Sequence, residues 1–333
     1  MAVIFSKSSN LIDDTWNEWA HLVRMNMQDA DNEKNDDDAL VKALYQVKNS
    51  KRFGEKTMGM SSFGSFMYTK EGDNAQPDTL QEVNAKLITH SPFMKEFVVT
   101  AEAREDGVID PVAAGSKNYV RAYKRTRAEF ATAAMCGEGT TFDYGGHTGF
   151  DRTTADGKAL FAKDHSGLTS VAAQSNVFTN AFGDDDVMLD RLANIGFNFM
   201  NASGQKMGYV FDTLVVPGNC WRLIRLAKKI INSDQQINSS FNDVNVNKGI
   251  WKLVVNPHWI AADGTEPYII MSSKASQDLN GSLFYDRIPL TIKQQEDVHN
   301  HNLISSGRCR FSAGFGDWRH VIMGGATAGT ALT

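Results

Sequence analysis

The chain reads as an α+β fold, and three patterns carry that reading. Apolar residues recur at helical spacing over 11–30, 110–137 and 183–200, while side chains alternate with period two over 54–69. Short apolar runs ending at Pro or polar residues recur at 209–216, 250–257 and 266–273. The 333 residues exceed a typical domain of roughly 100–200 residues, so two lobes, or one domain with long extensions, are expected.

The elements follow in order. Leu11, Trp16, Trp19, Leu22 and Val23 share one face of a first helix. Asp36, Asp37 and Asp38 precede Ala39, Leu40, Leu44 and Val47; the acidic run reads as the cap and first turn of a second helix, since no later Glu completes a calcium loop. Over 54–69, Met58, Met60, Phe66 and Tyr68 alternate with Phe63 and Met67, and 79–103 returns as extended chain through Val83, Ala85, Leu87, Phe97 and Val99. A two-stranded excursion with apolar residues and no local helix to cover them is marginal in water, so it is expected to rest on another subunit.

The clearest helix is "DPVAAGSKNYVRAYKRTRAEFATAAMCG" (110–137), with Asp110 to cap, Pro111 at the first turn and Gly137 to end it. Val112, Tyr119, Tyr123, Phe130 and Ala134 form one stripe. The other face carries Lys117, Arg121, Lys124, Arg125 and Arg127 against Glu129 alone, either a surface for phosphates or acidic protein, or a solvated helix side. Residues 183–200 form another capped helix, with Met188, Leu192, Ile195 and Phe199 inward. The stretch "YVFDTLVVPGNCWRLIRLAKKIINS" (209–233) gives a strand to Val216 and a helix from about Gly218 to Ile231. A polar, Asn-rich loop (232–249), four more extended segments and a small-residue tail complete the chain.

Composition excludes several classes. A net charge of −5 gives no global basic footprint for sequence-specific DNA binding, and no apolar run approaches the roughly 20 residues that span a bilayer. The N-terminus does not read as a signal peptide, so a cytosolic origin is expected. Cys136, Cys220 and Cys309 are odd in number and far apart, which fits reduced thiols rather than disulfides or zinc. His147 and His165 lack metal-ligand spacing and read as structural.

"VVPGNCW" has one glycine where a phosphate loop needs several, and no GxSxG elbow occurs. Cys220 near a helix start is the one candidate nucleophile, but a Cys on an apolar helix face is ordinarily packing. The chain is therefore expected not to be an enzyme and to hold no catalytic, cofactor-binding or metal-binding residues.

The order of parts is more informative than any single residue. An amphipathic arm, a long hairpin and a capped long helix come first; then "TLVVPGNCWRLIRLAKKI", a polar loop, "NKGIWKLVVNPHWI" and "EPYIIMSS". This series resembles the major capsid proteins of tailed bacteriophages, which share the Hong Kong 97 type fold. "ALFAKDHSGLTS" (159–170) and "GRCRFSAGFGDWRHVIMGG" (307–325) are similar to the major head subunits of Mu-like phages, while "PGNCW" departs from the small or apolar residues usual at that turn.

The resemblance implies an N-terminal arm (1–53), an extended loop on a neighbouring subunit (54–106) and a peripheral domain (107–204) with a spine helix at 111–136. It further implies an axial domain (205–282) and a return to the peripheral domain with the C-terminal tail (283–333). The implied function is self-assembly into pentamers and hexamers of an icosahedral head enclosing double-stranded DNA. The implied place is the virion, assembled in the host bacterial cytoplasm. Scaffolding, portal and decoration proteins are the implied partners, packaged DNA is bound non-specifically, and no membrane is involved.

Met58, Met60, Phe63, Phe66, Tyr68, Trp16 and Trp19 are then candidates for contacts between subunits. Arg121, Lys124, Arg125 and Arg127 are candidates for facing the lumen. The alternatives are an encapsulin-type compartment, distinguished by protein cargo in place of DNA, and a cytosolic α+β hydrolase, distinguished by a monomer whose activity needs Cys220.

Overall fold

A computed structural model describes residues 11–60, 66, 68–74, 82–107, 109–165, 172–183, 187–201, 204–235, 244, 245, 247–327 and 329–331, with side chains at 11–18, 58–60 and 82–84 left out. In chain order the first elements are α1 (Leu11–Asn32), α2 (Asp36–Leu44), β1 (Gln46–Asn49), β2 (Gly54–Met60), β3 (Glu82–Thr89), β4 (Ser91–Val99), α3 (Ala101–Glu105) and α4 (Ile109–Met135). Next come β5 (Thr141–Tyr144), β6 (His147–Asp151), α5 (Val187–Phe197), β7 (Thr213–Pro217), α6 (Trp221–Asn232) and β8 (Lys252–Asn256). The last are β9 (Tyr268–Met271), α7 (Ser273–Asp278), β10 (Ser282–Glu296), β11 (Leu303–Phe315) and β12 (Val321–Gly324). This mixture of helices and strands is the α+β fold expected.

The chain divides into two compact units. One comprises the residues up to Ala39, His90–Ala128 and Asp286–Phe311; the other comprises Leu40–Thr89, Glu129–Tyr285 and the residues from Ser312 onward.

In the first unit, α1 buries Val23, Met27 and Ala30 with Val112, Tyr119 and Val120 of α4, Val99 of β4 and Leu303 of β11. Strand β4 runs antiparallel to β11 from Leu303↔Val99 to Phe311↔Ser91. Gly307, opposite Lys95, has no side chain because one would collide with the Tyr119 hydroxyl, which donates to the Lys95 carbonyl.

The second unit is built on a sheet in the order β12-β9-β7-β8, with β7 parallel to β8 and antiparallel to β9. All five residues of β7 are buried, which is why that strand reads as a continuous apolar run. Helix α6 buries Leu223, Ile224, Ala227, Ile230 and Ile231 in the same core as Leu192 of α5 and Tyr268 of β9. Beside this core, β2 and β3 form an antiparallel ribbon from Gly54↔Thr89 to Met60↔Glu82. Its base is held by buried Lys86, which pairs with Asp151 of β6 at 3.0 Å.

Two expectations change here. The excursion expected over 54–106 is narrower, because the chain exchanges partners at His90: β3 pairs with β2, whereas β4 pairs with β11. Two consecutive extended stretches look alike in sequence, and only the partner separates them. The cap of α2 is Asn35, whose side-chain oxygen accepts from the Asp37 N–H at 2.9 Å, while Asp36, Asp37 and Asp38 fill the first turn.

Candidate assembly surface

The turn after β7 packs two backbone segments together and does not cradle an anion. The Gly218 N–H donates to the carbonyl oxygens of Asn256 (2.8 Å) and Trp259 (3.2 Å). A Cβ at Gly218 would stand 2.9 Å from the Asn256 oxygen, so glycine is required for the approach. Cys220 stands at the N-cap of α6, but its thiol bonds Asn219 Oδ1 and the Thr265 carbonyl and makes no capping bond to the helix; burial, with Glu266 adding to it, raises its pKa, the reverse of an activated nucleophile. Burial likewise pushes the Cys309 thiol up to about 11.

His165 is fully buried, stacks on Trp318 at 4.3 Å and binds the Asp156 carboxylate at 2.7 Å. Ser282 Oγ and His320 Nε2 meet at 2.5 Å, but both side chains are fully buried and no substrate reaches them. Among the described residues no group of three His, Cys, Asp or Glu is placed to hold a metal ion, and no helix is long and apolar enough to cross a membrane.

The basic face expected on α4 is largely consumed within the first unit. Lys124 is 2% exposed, and its ammonium donates to the carbonyl oxygens of Ala30 (3.0 Å), Asp31 (2.7 Å) and Glu33 (2.9 Å). These carbonyls end α1, so the lysine acts as its C-terminal cap. Arg127 is held between Asp38 (2.8 Å) and Asp286 (2.6 Å). Neither can face a lumen as a free charge, which corrects that expectation for both. Arg121 pairs with Glu33 at 2.9 Å in solvent, and Arg125 is exposed. In the second unit another cation caps a helix: Arg152 donates to the carbonyls of Ala133, Ala134 and Glu138 at the end of α4.

The contact candidates divide. Phe66 is 106% and Tyr68 92% exposed, far beyond what an isolated fold gains by displaying aromatics. Phe53 and Leu87, at the base of the ribbon and on β3, are exposed as well. Met58 and Met60 lie on β2 with side chains outside the described residues; Phe63 and the Trp16 side chain also lie outside them. Trp19 packs against the core of the first unit and is half-buried there.

A family model described as phage capsid protein matches residues 88–324, most of the chain. The chain belongs to the phage capsid protein family. As such it is a virion protein, and its fold is shared with capsid chains of very different sequence. It superposes on the capsid of the empty GTA particle with a TM-score of 0.55 at 12% identity, covering 88% of this chain and 90% of that one. The capsid of Myoviridae phage XM1 gives 0.52 at 13% identity, covering 85% and 90%. The virus-like particle from Pyrococcus furiosus gives 0.50 at 12%, covering 92% and 99%. No curated protein sequence matches.

Proposed function

We propose that this capsid protein is the major head subunit of a Mu-like phage, assembling as pentamers and hexamers into an icosahedral shell around double-stranded DNA. Scaffolding, portal and decoration proteins complete its partners. The observation that carries the reading is the β2–β3 ribbon, with Phe66 and Tyr68 fully exposed in the segment between its strands, in a chain of the phage capsid family. The ribbon is the extended loop that reaches a neighbouring subunit. Each large apolar side chain buried there contributes about 2 kcal/mol, and repetition around a closed shell multiplies a weak contact into a stable particle.

Negative-stain imaging of the concentrated full-length protein tests this. Closed shells are expected from the natural chain, and folded subunits without shells from a Phe66→Ser, Tyr68→Ser double variant. Shells formed equally well by the variant would remove the ribbon from the contact. A natural chain that stays monomeric at every concentration would remove the reading itself. An encapsulin-type compartment would show co-purifying protein cargo and no nuclease-protected DNA.

A further inference from the structure

Helix α6 carries a cationic face of which, among the described residues, only Arg222 has an ion-pair partner. Its buried side holds Leu223, Ile224, Ala227, Ile230 and Ile231, and its solvent side holds Trp221, Arg222, Arg225, Lys228 and Lys229, with no acidic residue in the helix. Arg222 pairs with Glu266 at 2.5 Å. Among the described residues, Arg225, Lys228 and Lys229 have no carboxylate within 4.0 Å and no hydrogen-bonded partner.

That arrangement works against the helix taken alone. Arg225 stands three or four residues from Arg222, Lys228 and Lys229, the spacings at which like charges on a helix repel. The chain as a whole is acidic, with a net charge of −5, so the stripe also runs against the overall balance. A local cost without local compensation points to a partner that supplies the missing charge.

We propose that the exposed face of α6 is a docking surface for the phosphate backbone of double-stranded nucleic acid, so that this helix faces the packaged DNA. The inference rests on the proposed capsid function and names the element that makes the contact. From Arg222 to Lys229 the helix rises about 10 Å. A duplex presents one negative charge per roughly 1.7 Å of axis, so about six phosphates lie within reach of the stripe. A periodic polyanion meets all three free cations without placed carboxylates and without sequence readout. Trp221, 66% exposed at the start of the stripe, adds an indole N–H donor for a phosphate or sugar oxygen.

The test compares the full-length natural chain with an Arg225→Gln, Lys228→Gln, Lys229→Gln variant, measuring binding to a fluorescent 30-base-pair duplex between 50 and 200 mM salt. If all three contact phosphates, the slope of log affinity against log salt falls by about 2.7 in the variant, and affinity at low salt falls at least about tenfold. A control removing the same charge elsewhere, Lys51→Gln, Lys95→Gln, Lys274→Gln, is expected to bind as the natural chain does. Unchanged slope in the α6 variant overturns the proposal, as does an equal loss in the control, which would make the effect one of net charge. Lost shell formation with unchanged duplex binding also overturns it, assigning the stripe to an acidic surface of another copy. If the natural chain forms no shells yet the variant alone loses duplex binding, the capsid reading fails and the nucleic-acid surface stands.

Discussion

Helices α4 and α6 are both rich in Lys and Arg, yet the two sets of charges do different things. On α4, Lys124 stands four residues from Val120 and four from Ala128, both buried, so its stem lies on the apolar side of the helix. Its ammonium then meets the open carbonyls at the end of α1. On α6 the cations alternate strictly with the buried positions and remain in solvent. A basic stretch in a sequence therefore counts charges, not free charges; its phase against the apolar stripe decides which it is.

The largest effect expected from breaking this contrast lies at Lys124. A Lys124→Met variant keeps the volume and removes the donor, leaving the Ala30 carbonyl unpaired in a buried site and those of Asp31 and Glu33 without their partner at its edge. The expected loss is about 3 kcal/mol, the scale for leaving a buried acceptor without its charged donor. The measurement is the denaturant midpoint, together with proteolysis between α1 and α2, which is expected to accelerate. A midpoint shift below about 1 kcal/mol would mean that water replaces the ammonium, and that α4 is no more committed than α6.

The second unit offers a contrasting way to bury a basic group, which is to discharge it. His320 Nδ1 lies 2.7 Å from the Asp317 carbonyl oxygen, which only accepts, so Nδ1 carries the proton and Nε2 accepts from the Ser282 hydroxyl. Burial lowers its pKa from 6.5 to about 4. With the folded value depressed, the stabilisation is present above pH 6.5 and is lost as pH falls toward about 4. The span is worth about 3 kcal/mol. Urea midpoints at pH 7, 5.5 and 4.5 are expected to fall steeply in the natural chain. A His320→Gln variant is expected to be less stable at pH 7 and flatter over that range, and an unchanged slope would place the acid sensitivity elsewhere.

Much of this was legible in residues. The run "TLVVP" gave β7, the apolar phase of "WRLIRLAKKII" gave α6, and the order of parts carried the family resemblance that the family match bears out. What stayed hidden depends on contacts distant in sequence. The exchange of partners at His90 leaves no mark because β3 and β4 carry the same strand chemistry. The caps supplied by Lys124 and Arg152 join elements roughly 90 and 20 residues apart in sequence, which no local pattern encodes. The phase of Lys124 against Val120 and Ala128 was the one available signal, and reading the basic residues as a face of their own concealed it.

The smallest expected effect is the most discriminating. Arg225 on α6 has like-charged neighbours three and four residues away, each such pair costing an exposed helix about 0.2–0.5 kcal/mol. Arg225→Gln is therefore expected to leave the unfolding midpoint within about 0.5 kcal/mol of the natural chain, on the stabilising side, with the gain shrinking as salt screens the repulsion. The contrast with Lys124 would then span nearly the whole range available to one cationic side chain. A loss above about 1 kcal/mol at Arg225 would reveal an intramolecular partner, because an unpartnered surface cation has no such interaction to lose. In that event α6 would join α4 as a helix whose charges are already spent, and its claim on the nucleic-acid backbone would fall with the comparison.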